Sequence, residues 1–166
     1  MAEEYDSTKD TKEHIEAVRV YLYKAQLELM TRGLMHDASK LQSPEKEYFD
    51  RETPLLKGLE YNSDAYREGV KRLKPALDHH YAHNSHHPQF YGEKGVSGMN
   101  LFDLVEMFFD WKAAGERTKE GNIYKSIEIN KGRKNLNMSE QVAEIFVNTA
   151  KYLGYEQVGS EGVSNS

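Results

Sequence analysis

The chain has 166 residues and carries 22 Lys and Arg against 27 Asp and Glu, a formal net charge of -5 at pH 7. That length suits one domain with a real hydrophobic core and is cramped for two. The acidic balance argues against a protein held by nucleic-acid phosphates, which calls for a basic stripe, so no stable nucleic-acid complex is expected. The absence of cysteine excludes disulfides, zinc-thiolate sites and thiol nucleophiles, and fits a reducing compartment.

The opening segment MAEEYDSTKD is acidic and polar, unlike a signal peptide, and no apolar run approaches the roughly 18 residues of a membrane span. A cytoplasmic protein without membrane attachment is expected. Residues 1–10 read as a flexible lead. From about Thr11, the apolar residues Ile15, Val18, Leu22, Ala25 and Leu29 recur at steps of three and four, one stripe of an amphipathic helix. Residues 34–41 extend the helical pattern past Gly33, with His36 and Asp37 inside it. Ser43-Pro44-Glu45-Lys46-Glu47 predicts a new helix start, with Ser at the N-cap and Pro at the first helical position. That helix should reach at least Asp50 before Thr53-Pro54 disturbs it. Residues 57–62 read as a connection.

Ser63 or Asp64 can cap a helix over about 64–84, with Pro75 as a kink point. Pro88, Gly92, Gly95 and Gly98 predict a loop over 88–99. Asn100 then caps a strongly apolar helix, LFDLVEMFFDWKAAGER. Gly121-Asn122 marks a turn, Ile123 to Lys131 is helical again, and Ser139 opens a last helix stopped at Gly154. Residues 156–166 are expected to form a disordered tail. No strand-like alternation of useful length occurs. The predicted fold is all-α: a single-domain bundle of six or seven helices over residues 11–155.

Five of the seven histidines fall in HHYAHNSHH, as His79, His80, His83, His86 and His87; the others are His14 and His36. Imidazole is the common neutral nitrogen ligand for Zn, Fe, Co, Ni and Mn, and Asp adds a charged oxygen. His and Asp without Cys suit a catalytic metal with open positions better than a closed structural zinc site. The competing reading of the histidine run is a surface metal-scavenging tract. On the apolar helix, Asp103, Glu106 and Asp110 recur at steps of three and four and share a face. Their neighbours are nearly all apolar, so the face should be buried, where carboxylates need a cation or donors.

The order His14, then His36-Asp37, then a later Asp on an apolar helix resembles the HD-domain superfamily of metal-dependent phosphohydrolases. The resemblance runs through EHIEAVRVYL, RGLMHDASKL, HHYAHNSHHP and DLVEMFFDWKAA, from about residue 12 to 117. The chain also looks like a small branch found in bacteria and their phages, with MHDxSKL and HHPE-like segments, although Gln89 stands where a Glu is sometimes found. For a phage protein the expected location becomes the host cytoplasm.

The resemblance implies an HD-like helical fold around one or two divalent ions: Zn, Mn, Co, Fe or Ni rather than Mg. It maps the ligands of one ion to His14, His36, Asp37 and Asp110, with Asp103 as the reserve for Asp110. Ligands for a second ion would come from His79, His80, His86 and His87. Catalytic roles would fall to Asp37, Lys40, His80 and His83, with Asp37 orienting or deprotonating water and Lys40, one turn beyond His36, holding a phosphate oxygen. Arg32, Lys40, Tyr81, Asn84, Lys112 and Arg117 are the candidate substrate-binding residues, with Phe90 and Tyr91 as aromatic neighbours.

The implied function is hydrolysis of a small-molecule nucleotide, a deoxynucleoside mono- or triphosphate, by metal-activated water. One alternative is a phosphodiesterase of cyclic or linear dinucleotides, although the Gly-Tyr-Pro of those relatives is missing. Another is a metal-binding regulatory module without turnover. A homo-oligomer is compatible with either. No Walker-type phosphate loop, GxxxxGK[ST], occurs.

Overall fold

The computed structural model describes residues 5–59, 63–117 and 121–155. The expected tail at 156–166, residues 1–4 of the flexible lead and residues 60–62 of the predicted connection lie outside these. Among the described residues the chain is helical throughout, with six α-helices, three 310 segments and no strand, in agreement with the predicted all-α class. None of these helices is long and apolar enough to cross a membrane.

The chain divides into two units, one ending at His36 and one beginning at Asp37. The first unit is a single helix, α1 (Thr8–Met35), with His36 as its C-cap. It passes through Gly33 without a break, and none of its residues is buried. Side-chain pairs one turn apart, Arg19 with Glu16 and Arg32 with Glu28, each at 2.8 Å, brace its surface.

The sequence pattern predicted that helix would continue through His36 and Asp37, and it does not. Asp37 takes φ 56° and ψ 14°, a left-handed conformation that ends the helical run. Asp is one of the few non-glycine residues that tolerate this region, because its short polar side chain bonds locally. A 310 turn, Ala38–Leu41, follows.

The second unit continues with α2 (Glu45–Leu56) and α3 (Asp64–His83). Helix α2 begins one residue later than predicted, with Pro44 at the N-cap and no side-chain cap from Ser43, and it runs through Pro54 to Leu56. Proline's fixed φ is helical, although inside a helix its missing N–H forgoes one i→i−4 hydrogen bond. Helix α3 starts as read: Ser63 Oγ accepts the Tyr66 N–H at 3.2 Å. The two helices pack closely at Gly69, where a Cβ would meet the Leu56 side chain at 2.5 Å. Buried Glu52 joins them, accepting from Arg72 at 2.7 Å and from its neighbour Arg51 at 2.8 Å.

The segment predicted as a loop is 310 over Pro88–Gly98, broken at Gly92 and Gly95, where φ is +58° and +52°. Helices α4 (Leu101–Gly115), α5 (Ile123–Lys131) and α6 (Glu140–Tyr152) follow, capped by Asn100, Asn122 and Ser139. Their apolar faces bury Met107, Phe108, Ile123, Ile127, Phe146 and Ala150, with the rings of Phe108 and Phe146 edge to face at 5.2 Å. This cluster is the hydrophobic core of the second unit. It anchors α4 and, through Val96, the segment that follows the histidine run.

Candidate metal centre

The left-handed turn at Asp37 places its carboxylate at the head of the 310 turn, where the Lys40 ammonium reaches Oδ2 at 2.6 Å. Burial works against the charge on Asp37, but its proximity to His80 and His86 and the bond and charge of Lys40 outweigh it. They hold the carboxyl well below the usual range.

His80 sits on the last turn of α3 and is buried. Its Nδ1 lies 2.9 Å from Oε2 of Glu45, the fully buried first residue of α2, and Ser39 Oγ donates to the same oxygen at 3.0 Å. Burial disfavours the charge of Glu45, but the bonds from His79 and Ser39 and the proximity of His80 hold its pKa below the ordinary value. An ionised Glu45 accepts only, so the His80 proton sits on Nδ1 and the Nε2 lone pair faces the other way. Asn84, the C-cap of α3, steadies the arrangement by donating to Ser39 Oγ at 3.0 Å and to the His80 carbonyl at 2.8 Å.

His86 repeats the pattern from the segment after α3. It is buried, and its Nδ1 lies 3.1 Å from Oε1 of Glu106 on α4, which leaves Nε2 on the opposite side of the ring. His87, half-buried beside it, brings Nε2 to 2.9 Å from His80 Nε2. Burial and the nearby His86 and His80 rings depress the His87 pKa to about 3, while the negative charge of Asp110 works in the other direction.

Three imidazoles and one carboxylate therefore meet. Asp37 Oδ1 is 3.1 Å from His80 Nε2 and 3.6 Å from His86 Nε2. One ligand atom from each of Asp37, His80, His86 and His87 lies within 4.8 Å of the other three. With the Nδ1 protons of His80 and His86 directed at carboxylates, their inward Nε2 atoms and Asp37 Oδ1 are acceptors. Acceptors facing one another repel unless a cation or shared protons lie between them. Nitrogen and carboxylate oxygen donors in this ratio fit a divalent transition metal. The cluster could hold such an ion, and Glu45 and Glu106 are the outer carboxylates that commonly orient histidine ligands.

The other residues singled out from the sequence are distributed as follows. His14 is exposed on α1 and His36 is the half-buried cap of that helix; both belong to the N-terminal unit, as does Arg32. His80, His86 and His87, assigned to a second ion, instead join Asp37. His79 lies on the outer side of Glu45, with its Nδ1 2.8 Å from Oε1, and is not one of the four. His83 is not in the cluster either. It is exposed, stacked on His79 one turn back with ring centroids 4.1 Å apart, and its Nδ1 donates to the His79 carbonyl.

Asp103 is buried as expected, but by hydrogen bonds that build structure. Its carboxylate accepts from Ser85 Oγ at 2.7 Å, Tyr91 OH at 2.6 Å and the Asn100 N–H at 3.0 Å. Asp110 is half-buried and is felt by His87 as charge without being one of the four convergent atoms. Tyr81 packs edge to face on His87 at 4.9 Å. Lys112 pairs with Glu116, lies over the Tyr155 ring at 4.5 Å and lines a cavity of about 340 Å3 with Asn122 and Tyr155. Arg117 is exposed just past the α4 C-cap. The role of Glu45 was missed because an acid in the first turn of a helix reads as a dipole partner. Nothing local marks it as the support of a histidine 35 residues away.

Residues 3–152 match the model of a family of unknown function (DUF5662), and the chain belongs to that family. No curated protein and no solved structure matches it.

Proposed function

We propose that this protein is a metal-dependent phosphohydrolase whose centre is Asp37, His80, His86 and His87. The observation that carries the reading is the convergence of their ligand atoms within 4.8 Å, with Glu45 and Glu106 behind two of the imidazoles. A divalent ion held there supplies Lewis acidity, acidifying water and offsetting charge on phosphoryl oxygens. Asp37 and the three imidazoles would hold it. Glu45 and Glu106 fix the ring orientations, so the donor set does not reorganise as charge develops. Lys40, 2.6 Å from Asp37 Oδ2, adds a positive charge at the exposed edge of the centre. The resemblance to HD-domain enzymes extends the reading to nucleotides, deoxynucleoside mono- or triphosphates, with Asp110 as a further candidate ligand.

Four protein ligands would also suffice to close a structural metal site, which favours the second reading, a metal-binding module without turnover. A hydrolysis screen separates them. Mono-, di- and triphosphates and cyclic and linear dinucleotides are incubated with Mn, Co, Ni, Zn or Fe, and products are read by mass. Metal-dependent phosphate release that disappears in Asp37→Ala supports the phosphohydrolase. Tight metal binding with no turnover supports the module. Failure to bind any of the metals sinks both.

A further inference from the structure

A cleft of about 200 Å3 lies against the metal centre. Its lining includes Tyr81, His87, Gln89, Trp111, Asn130 and Arg133. His87 belongs to both places: its Nε2 faces His80 in the cluster, and its ring forms part of the cleft wall. Whatever enters the cleft therefore comes within one imidazole of the cluster.

Arg133 gives the cleft its character. It lies between α5 and the 310 turn Lys134–Leu136, and its Nη1 donates to Asn130 Oδ1 at 3.0 Å. Asn130 is itself fixed, because its Nδ2 donates to the Ser126 carbonyl at 2.9 Å. One guanidinium N–H is thus used for positioning, and an arginine has five. Most cations of this acidic unit are matched to carboxylates: Lys40 to Asp37, Arg72 to Glu52, Lys74 to Asp78, Lys131 to Glu140. Among the described residues no carboxylate forms an ion pair with Arg133; its polar partner is a neutral amide. A positioned arginine matched to an amide, at a cleft that also offers a phenol and two carboxamides, suits an oxyanion.

The geometry points to this cleft as a phosphate-binding subsite, with Arg133 as its anion anchor and Asn130 as the positioning residue. Size limits the ligand. The space, about 200 Å3, suits one phosphoryl group and the first atoms attached to it. A small phosphorylated molecule fits, with the remainder of the ligand outside the cleft. Assigning that phosphate to a substrate rests on the phosphohydrolase reading; the anion site itself can be tested without it.

Trp111 is the only tryptophan of the chain and forms part of the cleft wall, so its fluorescence reports occupancy directly. The protein is titrated with inorganic phosphate, first in chelator and then with one equivalent of Mn2+, against chloride at matched ionic strength. The expected result is a saturable change in Trp111 emission with phosphate and none with chloride. Arg133→Ala should weaken phosphate at least tenfold and Arg133→Lys by less, with Mn2+ affinity by calorimetry unchanged in both. Equal phosphate affinity in wild type and Arg133→Ala overturns the assignment, as does the absence of phosphate binding by both fluorescence and calorimetry. Arg133-dependent phosphate binding in a protein that hydrolyses nothing upholds the subsite and sinks the enzyme. Metal-dependent hydrolysis with the same KM in Arg133→Ala does the reverse.

Discussion

Glu45 Oε2 lies 2.9 Å from His80 Nδ1, and both side chains are almost wholly out of solvent. Through its other oxygen Glu45 also holds His79, at 2.8 Å. One buried carboxylate thus sets the tautomer of the central imidazole and braces the helix that carries it. Glu45→Gln keeps the volume and removes the charge, so His80 loses its reason to keep the proton on Nδ1. Metal affinity by calorimetry should fall about 10- to 100-fold, the usual effect of losing an outer carboxylate behind a histidine ligand. Unchanged affinity would show that the His80 orientation does not matter to the centre.

Asp103 and Asp110 occupy one helix and should fail differently. Asp103→Ala leaves the Ser85 hydroxyl, the Tyr91 hydroxyl and the Asn100 N–H without their shared acceptor. That should cost about 2–4 kcal/mol of stability in urea denaturation. Asp110→Asn removes a charge felt by His87 and should cost less stability. Comparing Asp103→Asn with Asp110→Asn by metal titration, the larger loss of affinity is expected at Asp110. The reverse order would make Asp103 the residue that serves the ion.

Much of the helix layout was legible because caps are local signals. Ser63, Asn100 and Ser139 each accept the backbone N–H groups that a helix start leaves over, as their residue types foretold, and Asn122, read only as part of a turn, does the same for α5. Asp37 was legible as a ligand type but not as a left-handed residue. The apolar pattern on either side hides a break that depends on a single φ angle. The histidine run was legible as chemistry. Which members converge was not, since that depends on where α3 ends and on two glutamates distant in sequence, Glu45 and Glu106. Arg133 and Asn130 gave no signal, because a lone basic residue after a helix reads as a solvated end.

Metal should stabilise the fold, because it binds the converged donors and not the unfolded chain. At 100 times Kd the gain is about 2.7 kcal/mol. For a protein of this size that corresponds to a rise of roughly 5–10 °C in Tm. Asp37→Asn is the control of choice, since Asn also tolerates the left-handed φ of 56° and the turn can persist. The thermal shift on adding metal should shrink sharply in that variant. A full shift in Asp37→Asn would place the ion elsewhere.

His87 makes the metal-free protein sensitive to acid in a window set by its own shift. Unfolded, it takes a proton near 6.5; folded, burial and the neighbouring His86, His80 and Lys40 postpone protonation to about 3, against the pull of Asp110. Between those values the unfolded chain binds more protons than the folded one. The stabilising contribution is therefore complete above pH 6.5 and drains away as pH falls toward 3, at about 1 kcal/mol per pH unit. Asp37, whose carboxyl is held below its ordinary 3.8, adds stability that is lost only beneath that value, so it leaves the upper part of the window to His87. Urea denaturation in chelator at pH 7, 6, 5 and 4 should show a steeper decline in wild type than in His87→Gln, with no difference in slope above pH 7. Parallel curves through pH 4 would mean that His87 accepts its proton in the folded protein as readily as in water, and that the crowding of imidazoles around it is relieved some other way.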